Sequence, residues 1–246
     1  MTHTIAPAQD APVLQPKRLA ARIVGVITSP RETYAAVAAD PRWVGVMAVV
    51  LLVGCAATFI FLSTEVGKQA MFDQQIRVME SFGVKISDTA YARMEAGLDR
   101  APYTGALGQA LTVPLVALVI SGLGLTIFNA VLGGDATFRQ VFAVVAHSGI
   151  IVSLAQIFGL PLAYLRETMS STTSLAVFLP FLDENSFAAR FLGSIDLFQI
   201  WWLVSLAIGF GVLYRKKTGP IATTMIAVYA SLALIVAAIR SALSGA

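Results

Sequence analysis

From Tyr103 to Gly134 the chain runs 32 residues without an Asp, Glu, Lys or Arg. About 20 apolar residues in a helix already cross the ~30 Å hydrocarbon core of a bilayer, so a run of this length decides the solvent. Four further uncharged runs follow the same rule: Trp43–Thr64, Gln140–Leu165, Leu197–Tyr214 and Thr218–Ile239. Hydrophobic residues make up 57% of the 246-residue chain and charged ones 13%, against roughly 25% charged in soluble domains. One aqueous core could not hide that much apolar surface. A sixth run, Thr168–Leu182, is only 15 residues long and opens with a Ser/Thr cluster, which predicts an interfacial loop.

The expected fold is therefore all-α and integral to the membrane. It is a five-helix transmembrane bundle with an N-terminal amphipathic helix and an extramembrane helical hairpin between spans one and two. Residues 1–18, broken by Pro7, Pro12 and Pro16, read as a disordered tail, and 19–42 as amphipathic juxtamembrane helices. The spans fall at 43–64, 103–134, 138–165, 194–214 and 218–241. The hairpin occupies 65–102 and an interfacial loop 166–193.

Local signals refine these elements. Leu19, Ile23 and Ile27 form one helical face beside Lys17, Arg18 and Arg22, a pattern suited to lying on anionic lipid. Ser29, Pro30 and Glu32 predict a capping box, and Asp40-Pro41 a cap for the first span. Pro114 predicts a kinked second span or an interfacial approach to one near Leu111–Leu132, and Pro161 an end or bend in the third. In the hairpin, Phe72, Ile76 and Met79 line one face before Gly83 stops the helix. Ser87 caps a second helix bearing Tyr91, Met94 and Leu98. The two stripes pack on each other or offer a docking face.

Lys and Arg divide nine to eight between the two sides of a five-span topology. The side is set instead by the "RKK" turn at 215–217, which together with the basic N-terminal helix places the N-terminus in the cytoplasm.

Catalytic signatures are absent: no G-x-x-x-x-G-K, H-E-x-x-H, C-x-x-C or G-x-S-x-G occurs. Cys55 is the lone cysteine, which rules out an internal disulfide or thiolate cluster. These absences argue against an enzyme, a cofactor and a metal centre. The net charge of +3 is too small and dispersed for nucleic acid. Asn129, Gln140 and His147 are polar at membrane depth, where such residues mark helix contacts or pathways. Gln140 and His147 share a face, while Gln156 points away. In "SIDLFQIWW" Ser194 is the expected N-cap of span four and Asp196 falls in its first turn, against the positive end of the helix dipole. Trp201 and Trp202 then sit at the outer interface. Asp196 and Gln199 are alternatively contacts for a partner helix or ligand.

Three segments carry a family resemblance: "SPRETYAAVAADPRW" before span one, "GGDATFRQVFAVVAHSGI" opening span three, and "LGSIDLFQIWWLVSLAIGFG" forming span four. Together they resemble the Yip domain family, multi-pass proteins whose eukaryotic members interact with Ypt/Rab GTPases. The resemblance covers roughly residues 20–240 and implies five helices, a cytoplasmic N-terminus and a membrane-organising or adaptor role. Eukaryotic members carry an Asp-Leu-Tyr-Gly-Pro-type motif that nothing before Ala21 matches, so Rab-type GTPase binding is not implied. The alanine-rich style suggests a bacterial inner-membrane protein. The expected partners are anionic lipids at the basic helix and a membrane protein or a second copy. The alternative is a small transporter or lipid-handling protein using Asn129, Gln140 and His147.

Overall fold

The computed structural model describes residues 18–183 and 186–243. The expected disordered tail lies almost wholly outside the described residues. Those residues form ten α-helices and no strand, only an isolated bridge between Ser174 and Asp196. The helices are α1 (Leu19–Thr28), α2 (Pro30–Ala39), α3 (Val44–Leu62), α4 (Glu65–Ser81) and α5 (Asp88–Ala96). There follow α6 (Ala101–Leu125), α7 (Phe138–Leu165), α8 (Phe187–Gly193), α9 (Leu197–Leu213) and α10 (Thr218–Leu243).

Four stretches are long and apolar enough to cross a membrane: α3, the helical run Asp88–Val131, α7 and α10. The fifth expected crossing, α9, is an apolar helix of 17 residues packed between α7 and α10. Its length is ~25 Å at 1.5 Å per residue. The centre of the molecule is α7, which touches α1, α2, α3, α6 and α9. Sixty-one per cent of its most apolar window is buried, against 28% or less for the other three. Every residue from Val141 to Ser148 is buried, as expected of a helix surrounded on all sides.

Both prolines lie inside continuous helices: α6 passes through Pro114 and α7 through Pro161 to Leu165. The second span's helix runs on from Ala101 through Pro114 without a break. Proline is tolerated in membrane helices because neighbouring groups re-satisfy the freed carbonyl. The last turn of this span, Thr126–Val131, is π-helical, a local widening common near functional positions.

Three expected caps are reassigned. Ser29 makes no side-chain cap, because its backbone closes α1, the N–H donating to Gly25 O. Asp40 ends α2 and α3 begins only at Val44, so Asp40-Pro41 does not start the first span. Ser194 closes α8, its hydroxyl donating to Arg190 O, and Asp196 itself is the N-cap of α9. The capping box lies elsewhere: Thr137 Oγ1 accepts from Gln140 N–H, and Gln140 Oε1 accepts from Thr137 N–H at 2.9 Å. The cap at Ser87 and the proline at the first position of α2, Pro30, occur where expected.

The N-terminal helix leaves Arg18 exposed as the periodicity suggested but not Arg22, and Lys17 lies outside the described residues. Arg22 is 3% exposed and pairs with the Asp40 carboxylate at 2.9 Å, also donating to Asp40 O at 2.9 Å. The buried face of α1 is Arg22, Gly25 and Val26, while Leu19 and Ile27 stay exposed. The reason is a tertiary pair 18 residues apart, which outweighs helical amphipathicity. Gly25 permits it: a Cβ there would collide with the Thr33 hydroxyl, so α1 and α2 approach as closely as backbones allow.

Beyond α3, Thr64 caps α4, which ends at Ser81, and Gly83 turns the chain with φ +73°. Phe72 of α4 meets Tyr91 of α5 edge-on at 4.8 Å, but α5 buries no residue.

Contacts define the two ends of the bundle. At one end Gln140 Nε2 donates to Ala38 O, Phe128 stacks on Tyr214 at 4.7 Å, and Arg31 reaches Thr218. At the other Ser170 donates to Gln74, Arg190 reaches Ser241, and Arg240 lies over the Phe82 ring.

Candidate functional site

The five candidate residues fall in three separate places. Gln140 and Asn129 sit at the first end. Gln140 joins the capping box and ties the start of α7 to the last turn of α2. Asn129, in the π-helical turn, donates to Ala136 O at 2.7 Å and so closes the loop between α6 and α7, leaving its Oδ1 buried without a partner. Beside them Tyr214 is buried against Phe128, its hydroxyl unpartnered.

His147 lies two turns deeper in α7 and is fully buried. Its Nδ1 is 2.7 Å from Ala143 O, so Nδ1 carries the proton and donates; Nε2 faces the interior without a partner. The neighbouring polar groups are spent on helix contacts. The Tyr34 and Ser205 hydroxyls meet at 2.8 Å between α2 and α9. Trp202 Nε1 donates to Ser148 Oγ at 3.0 Å between α9 and α7, and Ser148 donates to Val145 O. Trp202 is therefore an inward, helix-joining residue and not part of an interfacial belt, while Trp201 remains exposed. Gly209 makes room for Tyr34, whose ring lies 3.2 Å from where a Cβ would be.

Asp196 anchors the opposite end. Its carboxylate accepts from Gln199 N–H at 3.0 Å, from Thr173 Oγ1 at 2.5 Å and from Ser171 Oγ. Burial acts to raise its pKa, but the hydroxyls of Ser171 and Thr173 and the N–H groups of Gln199 and Phe198 outweigh it, holding the carboxyl below its usual range. Leu175 N–H donates to Ile195 O and Leu197 N–H to Thr173 O, so the 171–175 loop is laced to the start of α9. Tyr229 of α10 completes the junction, donating to Ser194 O at 2.7 Å and accepting from Asp196 N–H at 3.2 Å.

Gln199 donates its backbone N–H to the Asp196 cap and lines the largest of three cavities. This is an open groove of about 580 Å³ between α6 on one side and α9 and α10 on the other. Its walls are apolar apart from Gln199, Thr224 and Tyr229. Two smaller cavities, of about 160 and 170 Å³, share Gln156 between α3 and α7. Gln109 faces Gln156 there, both approaching Gly54. Sequence reasoning assigned Arg22 to a lipid surface rather than to Asp40, and missed Tyr34, Tyr229 and Gln109. The uncharged run hides Gln109 among apolar neighbours, although an amide at membrane depth is itself a signal.

Long apolar helices, buried polar pairs between them and laced ends define a multi-pass membrane protein. The Yip1 domain family model matches residues 24–240, nearly the whole chain, and the protein belongs to that family. No curated protein and no solved structure matches it.

Proposed function

We propose that the protein is a non-enzymatic membrane organiser or adaptor subunit, crossing a bacterial inner membrane five times with its N-terminus in the cytoplasm. The observation that carries this reading is where the interior polar groups go. Arg22, Tyr34, Gln140, Ser148 and Asn129 each bond to the protein's own backbone or side chains. Such bonds hold helices in one arrangement, worth ~0.6 kcal/mol each on average in a membrane. The candidate residues do not converge on one reacting point. A fixed bundle with shaped ends suits holding a partner in place.

Support for α9 as a fifth crossing comes from the ends: Tyr214 lies with Phe128, and Asp196 with the 171–175 loop on the opposite side. The "RKK" turn and the N-terminal helices then share one side, in agreement with the positive-inside rule.

A second reading, lipid handling, is favoured by the apolar groove beside α10. The test is isolation in mild detergent followed by reconstitution. A stoichiometric protein partner with no solute flux is the expected result. Solute, ion or lipid translocation above that of empty vesicles would overturn the organiser reading.

A further inference from the structure

We propose that the groove between α6 and the α9–α10 pair holds one acyl chain of an anionic glycerophospholipid, its phosphate drawn to the Arg215-Lys216-Lys217 turn. The proposal stands whether or not the organiser reading does. Three observations carry it.

The first is depth. Along α9 the groove runs from Gln199 to Phe210, and along α10 from Pro220 to Leu232. At 1.5 Å per residue these are ~16 and ~18 Å. On α9, itself ~25 Å long, the groove stops about one turn short of each end. A crossing helix from a second copy would need the full ~30 Å, so the slot fits a single flexible chain entering from the Arg215-Lys216-Lys217 end. Its volume of about 580 Å³ lies within the ~300–1,000 Å³ of small-ligand sites.

The second is closure. At the Asp196 end the Tyr229 hydroxyl is committed to Ser194 O and Asp196 N–H, which ties α10 to the start of α9. At the other end Gly124 brings α6 against the Phe210 ring, and Phe128 continues the wall to Tyr214.

The third is charge. Pro220 lines the groove three residues after Lys217. Arg215, Lys216 and Lys217 are all exposed there, and Arg31 reaches Thr218 from α2. The acidic groups at this end include Asp135, near Tyr214, and Glu32, in the first turn of α2. A phosphate at the interface meets a net positive mouth directly above an apolar slot, and each such cation near the surface favours an anionic lipid by about fivefold.

The test is native mass spectrometry of protein released from nanodiscs containing equal phosphatidylglycerol and phosphatidylcholine. The expected result is one retained phosphatidylglycerol. Val228→Trp, at a 54% exposed groove position, should abolish retention. The double variant Lys216→Gln/Lys217→Gln should keep a lipid but lose its headgroup preference, by roughly 30-fold for two cations. Lys85→Gln/Arg93→Gln at the opposite end should change neither. Retention and selectivity unaltered by both groove-end variants would overturn the proposal, as would a lipid-free dimer that Val228→Trp converts to monomer. Should Val228→Trp fail to fold, electron spin resonance of spin-labelled phosphatidylglycerol on the Lys216/Lys217 variant decides. An immobilised fraction equal to that of the unaltered protein would then overturn it.

Discussion

The phenol of Tyr34 and the hydroxyl of Ser205 lie 2.8 Å apart, both buried, and join the short α2 to the core face of α9. Removing one partner orphans the other. Tyr34→Phe and Ser205→Ala should each cost about 1 kcal/mol, and a double-mutant cycle should return a coupling of ~0.6–1.7 kcal/mol. Unfolding in mixed micelles measures all three. Strict additivity would show that the bond contributes nothing to holding α2 on the bundle.

The Arg22–Asp40 pair predicts an asymmetry. Arg22 is 3% exposed and the Asp40 side chain 32%. Asp40→Asn removes a charged partner of the buried guanidinium, a loss of up to ~3–5 kcal/mol, the range for a broken buried pair. Arg22→Gln leaves a carboxylate that water and Arg42, at 2.8 Å, can still serve, and should cost less. Thermal unfolding of the two variants checks the order. Equal losses would mean that Asp40 is as dependent on the pair as Arg22.

Two glycines should respond in opposite directions. A Cβ at Gly209 would strike Val144 and press on Tyr34, so Gly209→Ala should destabilise by ~1–3 kcal/mol through overpacking. At Gly122 a Cβ meets nothing within 4 Å, and Gly122→Ala should stabilise α6 by ~0.5–1 kcal/mol. Melting temperatures moving the same way would contradict the packing described.

What could be read beforehand follows from range. Uncharged runs identify membrane helices because the bilayer acts on every residue of a segment, and α3, α6, α7 and α10 appear where those runs lie. Caps were less legible. Ser29, Asp40 and Ser194 have the right chemistry, but a cap needs its own backbone conformation, and that is set by neighbours such as Arg22 and Tyr229. The burial of Arg22 depends on a partner 18 residues away, and the groove on three helices that meet only in the folded chain.

Asp196 predicts an acid-sensitive junction. Its folded pKa lies below the ordinary value, so its contribution is present above the unfolded pKa of ~3.9 and is lost as pH falls through the folded one. The stability of the unaltered protein should decline below about pH 3.9, and that of Asp196→Asn should be flatter there. At neutral pH Asp196→Ala should cost ~0.5–2 kcal/mol, as expected for an N-cap. Ser194→Ala should cost less, because its hydroxyl only bonds back to Arg190 O. A loss at Ser194 equal to that at Asp196 would refute the assignment of the cap.

The topology can be decided at Arg93 and Lys216. Arg93 lies in the exposed α5 at one end, and Lys216 in the turn after α9 at the other. Cys55 is partly buried, its thiol donating to Ala106 O, so Cys55→Ala provides a background without other thiols. With five crossings and a cytoplasmic N-terminus, an impermeant thiol reagent on intact cells should label Arg93→Cys. Lys216→Cys should be labelled only after permeabilisation. The reverse pattern would invert the orientation. Labelling of both from outside would mean that α9, at 17 residues, does not cross. The chain would then have four spans, and the basic turn would lie on the same side as α5.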